Sequence, residues 1–257
     1  AMVLDFGVLP AAQDDSESGD CGHRTPNHLN DYRPDLAYIH HAGFSDFSRA
    51  SASGVVAILA KHGVHSGLLL DVGCGTGVLA HELTQAGFDV LGFDASPAMI
   101  ELARTTAPEA RFEVASFETA ELPPCDAIVA MGEVLSYGDI RTFVPKAARA
   151  IRKDGVLLFD VAGRDSYPAY DEQRIGGDDW SIIAIKESDG AKVTRRVLTF
   201  RQEGGTTRRD EEVHELALYA RAELLALLRN DFRVRVRRSY GRRRLPKGHT
   251  VYVCVRR

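Results

Sequence analysis

From residue 67 onward the apolar positions of the chain fall into two alternating patterns. Short runs that are apolar on both faces, LLLDVG (68–73), DVLGFDAS (89–96), RFEVAS (111–116), CDAIVAM (125–131) and GVLLFDVA (155–162), predict buried strands. Between them GVLAHELTQAG and AMIELARTTA space their apolar residues as helices do. The first closes at Gly87, and the second opens behind an N-cap Ser96 with Pro97 at its first position. A further helix around 142–152 precedes a turn at Asp154-Gly155. Strands alternating with helices predict an α/β fold, a doubly wound sheet with its strands parallel.

The pattern changes on either side of this core. Before it, two helices are expected between Asp31 and His62, the second of them GVVAILAKHG, capped by Gly63. After Ala162, WSIIAIKES, KVTRRVLTFRQE and TTRRDEEVHELALY alternate polar and apolar residues with turns at Asp189-Gly190 and Gly204-Gly205, which predicts an antiparallel meander. A helix (ARAELLALLRND) and two strands (FRVRVRRSY, HTVYVCVRR) close the chain. Residues 1–25 are polar and acidic with little to bury and predict a mobile tail. The expected division is therefore a helical lid (26–64), a core (65–162), an inserted meander (163–218) and a closing helix and strands (219–257), all one domain.

Composition adds exclusions. The formal charge of −4 over 257 residues argues against a protein built for non-specific nucleic-acid binding. No apolar run reaches membrane-spanning length, and the N-terminus lacks the basic and apolar regions of a secretion signal. The four cysteines (Cys21, Cys74, Cys125, Cys254) form no CxxC pair, so a cytoplasmic protein with no metal site is expected. Residues 231–257 carry ten Lys and Arg against one acidic residue. In FRVRVRR, however, Phe232, Val234 and Val236 share one face and Arg233, Arg235 and Arg237 the other, as a half-exposed strand requires whatever it binds.

The candidate chemistry lies in LLLDVGCGTGVLA. Gly73, Gly75 and Gly77 form a turn after a strand, while Val78 stands where a dinucleotide fingerprint would place its last glycine. Asp71, just ahead of the turn, favours a cation nearby. Asp94, ending the next strand, can accept from both ribose hydroxyls. The turn has no basic residue to meet a phosphate. This combination suits a ribose-bearing ligand of positive character.

Asp71-Val72-Gly73-Cys74-Gly75-Thr76-Gly77 followed by Asp94 in VLGFDAS resembles class I S-adenosylmethionine-dependent methyltransferases, over roughly residues 65–162. The resemblance implies a Rossmann-like, seven-stranded sheet with its last strand antiparallel. It implies S-adenosyl-L-methionine as cofactor and S-adenosyl-L-homocysteine as product. The methionine part would lie over Asp71, Gly73, Cys74 and Gly75, the ribose on Asp94, and the adenine near Ala95, Ser116 and Phe117. Met131, Gly132, Glu133 and Tyr137 would face the methyl group. The segment after CDAIVAM reads MGEVLSY and lacks the motif of DNA amino-methylases. Pro124-Cys125 lies at the opposite end of that strand from the methyl group, so it reads as structural.

His40, His41 and Glu133 are the candidate catalytic residues, with Tyr38, Tyr137, Arg196 and His214 as candidate substrate contacts. The segment VHELALYARAELLALLRNDF looks like a stretch of small-molecule methyltransferases, including sugar N-methyltransferases. There an inserted sheet roofs the acceptor pocket or mediates dimerisation, so a homodimer is one expectation. The expected reaction is transfer of a methyl group to an O or N atom of a small molecule or peptide. A nucleic-acid methyltransferase using the basic C-terminal patch, a NAD-dependent oxidoreductase and a non-catalytic cofactor-binding protein are the competing readings.

Overall fold

The computed structural model describes residue 30 and residues 32–257; the tail expected over 1–25, with Cys21, lies outside them. The chain runs α1 (Pro34–Lys61), β1 (Gly67–Val72), α2 (Val78–Gln85), β2 (Phe88–Asp94), α3 (Pro97–Thr106), β3 (Arg111–Val114) and β4 (Cys125–Ala130). It continues through α4 (Ile140–Ala150) and β5 (Ile151–Ala162). An inserted sheet follows, made of β6 (Tyr170–Gly176), β7 (Trp180–Ser188), β8 (Lys192–Glu203) and β9 (Thr206–Ala217). The chain closes with α5 (Arg221–Leu228), β10 (Phe232–Arg237), the short pair β11 (Ser239–Tyr240) and β12 (Arg243–Arg244), and β13 (His249–Arg256).

The central sheet has the order β10-β13-β5-β4-β1-β2-β3. Its inner strands pair in parallel, and β13 inserts antiparallel between β10 and β5. This is the seven-stranded arrangement the resemblance implied. Each face of the sheet carries its own apolar layer. Phe143, Leu224 and Phe232 lie in one, and Val55, Leu59 and Ile100 in the other. Among the described residues no helix is long and apolar enough to cross a membrane.

Local signals account for most element ends. Ser96 Oγ accepts from Met99 N at 3.1 Å and caps α3 ahead of Pro97. The end of α1 is a Schellman turn, with Gly63 N bonded to Ala60 O and Val64 N to Leu59 O. Three features differ from expectation. The two lid helices are one helix of 28 residues, because nothing in 43–53 breaks it. The Asp154-Gly155 turn lies within β5 as an irregularity, with Asp154 at φ 61°. The insertion has a fourth strand, β6, which pairs only with β7 and shows no apolar alternation. The basic strand β10 buries Phe232 and exposes Arg233, Arg235 and Arg237, as a half-exposed edge strand should.

The long helix ties the layers together. Its first half (Leu36, Ile39, Phe44) packs on Ile182 and Val197 of the inserted sheet, and its second half on the central sheet. At Gly54 it presses against the β11–β12 hairpin, so close that a Cβ would lie 2.5 Å from the amide nitrogen of Gly241. An exposed helical Gly→Ala change stabilises by roughly 0.5–1 kcal/mol. Here overpacking should win, and Gly54→Ala is expected to destabilise by about 1–3 kcal/mol in urea unfolding. A stabilised variant would show that the hairpin does not dock as described.

Candidate active site

The glycine turn leaves β1 at the carboxyl edge of the sheet, where open α/β folds bind ligands. Gly73 N and Cys74 N donate to Phe93 O at 2.7 and 2.9 Å, which pins the turn to β2. Gly73 and Gly75 both have positive φ. A Cβ on Gly73 would strike Val134, whereas Gly75 faces open space. Asp94 completes the turn: its Oδ2 accepts from Gly75 N and its Oδ1 from Ser96 N, each at 2.9 Å. Each oxygen keeps accepting capacity for a further donor.

Asp71 sits beneath the turn, 2% exposed, and its Oδ2 has no hydrogen-bond partner among the described residues. Burial, and then the nearby Asp94, push its carboxyl up to about 7. A buried acid of this kind is fitted to a cationic ligand. A cavity of about 260 Å³ opens at the glycine turn, lined among others by Gly73, Asp94, Ala95, Ser116, Phe117 and Tyr137. A smaller pocket meets it at Gly73 and reaches Cys74, Gly75, Met131 and His40. The carboxylates, the open face at Gly75 and an apolar wall at Phe117 and Met99 together fit a sulfonium nucleoside. Ser116 Oγ is engaged with Thr119, at 3.1 Å from its hydroxyl.

The candidate catalytic residues separate. His40 lines the smaller pocket, and neither ring nitrogen has a hydrogen-bond partner among the described residues. Burial lowers its pKa to about 3, so the ring is neutral near pH 7. His41 instead contacts the glycine turn, its Nδ1 3.0 Å from Thr76 Oγ1.

Glu133 is turned into a buried polar network rather than into either pocket. It is 0% exposed, and its Oε1 lies 2.8 Å from His249 Nε2 and 2.9 Å from the hydroxyl of Tyr167. Burial opposes its charge, yet the bond to His249 and the charges of His249 and Arg195 win and hold it at about 2. A carboxylate so stabilised is a poor base and a good strut. Its backbone, at φ 63°, is held in the left-handed region by Asp160, whose oxygens accept from Gly132 N at 2.8 Å and Glu133 N at 3.1 Å.

The substrate candidates also sort by position. Tyr137 lines the cavity, and its hydroxyl lies 3.2 Å from that of Tyr32. His214 is buried on the inner face of β9, its ring centroid 4.8 Å from that of Tyr32. Arg196 points to solvent and pairs with Glu211 at 3.8 Å. The inward arginine is Arg195, 2% exposed; Leu198 and Phe200 on the outer face of β8 blurred the alternation that would have singled it out. Tyr38 joins lid to roof, donating to Asp179 Oδ2 at 2.7 Å under the guanidinium of Arg201.

Tyr32, Tyr167 and His249 escaped the sequence reading, since each reaches the site only through tertiary packing. Cys125 is buried at the amino end of β4 with its thiol pushed up to about 12 by burial, which fits a structural role. Among the described residues no group of three or more His, Cys, Asp or Glu side chains could hold a metal ion.

Comparison with known proteins agrees with this geometry. Residues 69–155 match the family model described as a methyltransferase domain. The ubiquinone biosynthesis O-methyltransferase of Alkalilimnicola ehrlichii is 30% identical over 110 residues, 40% of this chain and 44% of that protein. The magnesium-protoporphyrin O-methyltransferase of Rhodobacter capsulatus is 29% identical over 106 residues, 38% of this chain and 46% of that one. The alignments thus span less than half the length of these relatives.

Among solved structures, an S-adenosylmethionine-dependent methyltransferase from Clostridium acetobutylicum superposes with a TM-score of 0.75 at 15% identity, covering 86% of this chain and 97% of that one. The sugar N-methyltransferase KedS8 from Streptoalloteichus gives 0.74 at 20% identity, covering 93% and 100%.

The titration of Asp71 gives a testable consequence. The sulfonium-bearing S-adenosylmethionine is held better by the ionised acid, so affinity for S-adenosylmethionine should rise as pH passes upward through about 7. Calorimetry from pH 6 to 8 checks it; the rise should flatten in Asp71→Asn, and a slope that persists there would assign it elsewhere.

Proposed function

We propose that this chain, which carries a methyltransferase domain on the class I S-adenosylmethionine-dependent fold, transfers a methyl group from S-adenosylmethionine to an O or N atom of a small molecule. The observation that carries the reading is the buried Asp71, its Oδ2 without a hydrogen-bond partner among the described residues, beneath a glycine turn tied to Asp94. That arrangement suits a sulfonium nucleoside better than a diphosphate, which would meet two carboxylates and no cation.

When bound, S-adenosylmethionine supplies a methyl group already activated by its sulfonium. The protein then has to align the acceptor, exclude water and accept a proton where the acceptor has one to lose. Asp94 takes the ribose, and the cavity at Ala95, Ser116 and Phe117 takes the adenine. Gly73 and Gly75, with Asp71 below, hold the amino-acid end near Met131 and Gly132.

The acceptor approaches under the roof formed by α1 and the inserted sheet. Tyr137 and Tyr32 form its wall, and His214 lies behind them. His40 supplies a neutral imidazole next to the glycine turn and orients the acceptor by accepting a hydrogen bond from it. His41 positions the turn through Thr76.

The first test is transfer of a labelled methyl group from S-adenosylmethionine into a fractionated small-molecule extract. His40→Asn is then expected to lower kcat by roughly 10²-fold while leaving S-adenosylhomocysteine affinity unchanged. His41→Asn should weaken that affinity. Full turnover in His40→Asn would leave the chemistry to alignment alone.

A further inference from the structure

On the inner face of the inserted sheet, three charged or ionisable side chains stand side by side in register. Lys186 on β7 is opposite Arg195 on β8, which is opposite His214 on β9. Like charges directly across an antiparallel pair repel, and here both cations are almost fully buried, with side-chain exposures of 4% and 2%. Lys186 has its own counter-charge in Asp171 at 3.4 Å, supported by Gln173 at 3.3 Å. Arg195 is less well matched. Its contacts to Glu133, the Tyr137 hydroxyl and the Tyr167 hydroxyl are 3.5, 3.4 and 3.5 Å, and its Nε has no hydrogen-bond partner among the described residues.

Glu133 is already committed elsewhere, to His249 and Tyr167 at 2.8 and 2.9 Å. A buried guanidinium with five N–H donors and only long contacts is under-neutralised. Around it gather further polar atoms without hydrogen bonds. Both ring nitrogens of His40 and of His214 are of this kind, although His214 Nε2 lies 3.3 Å from Glu212 Oε2. Tyr32 touches both histidines by ring contact, at 5.8 and 4.8 Å between centroids, and lines the cavity of about 260 Å³ together with Tyr137. The loosely paired cation thus stands directly behind the cavity wall at Tyr137, and the two imidazoles stand against Tyr32 of the same wall.

We infer that the methyl acceptor carries a carboxylate, which Arg195 binds through its planar fork while the group to be methylated faces His40. The inference rests on the methyltransferase reading of the site. A carboxylate matches one guanidinium in two parallel hydrogen bonds. It would complete the neutralisation of Arg195, whose Nε has no hydrogen-bond partner among the described residues. A neutral acceptor would leave that charge buried. The same binding bears on the histidines, because Arg195 is among the charges that depress both of them. Burial is the larger cause for both rings, so binding a carboxylate there eases only the smaller, electrostatic part of the depression.

The test uses benzoate and benzamide, a matched pair of similar shape that differ in charge, on the full chain saturated with S-adenosylhomocysteine. Binding of S-adenosylhomocysteine is measured first by calorimetry; its failure would count against the methyltransferase reading itself. Benzoate is then expected to shift the imidazole nitrogen resonances of His40 and His214 saturably, with benzamide at least ten-fold weaker. Arg195→Gln should abolish the preference, and the solvent-facing Arg196→Gln should retain it. If Arg195→Gln does not fold, Arg195→Lys keeps the charge without the fork and should weaken benzoate several-fold at unchanged S-adenosylhomocysteine affinity. Absence of saturable benzoate binding, equal binding of benzamide, or a preference that survives loss of Arg195 would overturn the inference. Inorganic phosphate competing as well as benzoate would overturn the carboxylate assignment.

Discussion

The site depends on a carboxylate at the end of one strand holding the turn that leaves its neighbour. Asp94 accepts from Gly75 N with one oxygen and from Ser96 N with the other, so a single side chain fixes the glycine turn and starts α3. Such charge-assisted bonds are stronger than neutral ones and are hard to replace in a buried setting. With the turn fixed, the open face of Gly75 and the acid of Asp71 occupy defined positions relative to Asp94. A ligand meeting all three needs hydroxyls at one end and positive charge at the other.

Above this floor the roof is assembled from segments distant in sequence, and α1 joins them. Its first half grips the inserted sheet, its second half the central sheet, and His40 and His41 lie between, over the glycine turn. The far wall is a buried polar network: Asp160 holds the Gly132-Glu133 turn, Glu133 holds His249 and Tyr167, and Tyr240 donates to Asp160 at 2.6 Å. Removing one partner of such a network leaves an uncompensated buried charge, a loss of about 3–5 kcal/mol. The network therefore gives Glu133 a structural reason to be acidic that does not involve catalysis.

The fold and the glycine turn between Asp71 and Asp94 were legible because local rules govern them. Buried runs in CDAIVAM and GVLLFDVA, the cap at Ser96-Pro97 and the glycines after Asp71 each act within a few residues. The chamber proposed for the acceptor was not legible, because it is set by register. Which arginine of Arg195-Arg196 turns inward depends on pairing β8 with β7 and β9, and apolar residues on both faces of β8 hide the answer. Glu133 looked exposed to substrate because its strand ends at the site; the side chain that covers it, His249, lies 116 residues away. Tyr32 and Tyr167 flank the core in segments without periodicity, and nothing in their neighbours announces where they point.

The account is tested most directly by a crystal structure of the complex with S-adenosylhomocysteine. It predicts ribose hydroxyls on the Asp94 carboxylate, the amino-acid end over Gly73 and Gly75 above Asp71, and the sulfur facing the pocket of His40 and Met131. A nucleoside bound away from Asp94, or a diphosphate seated on the glycine turn, would contradict it.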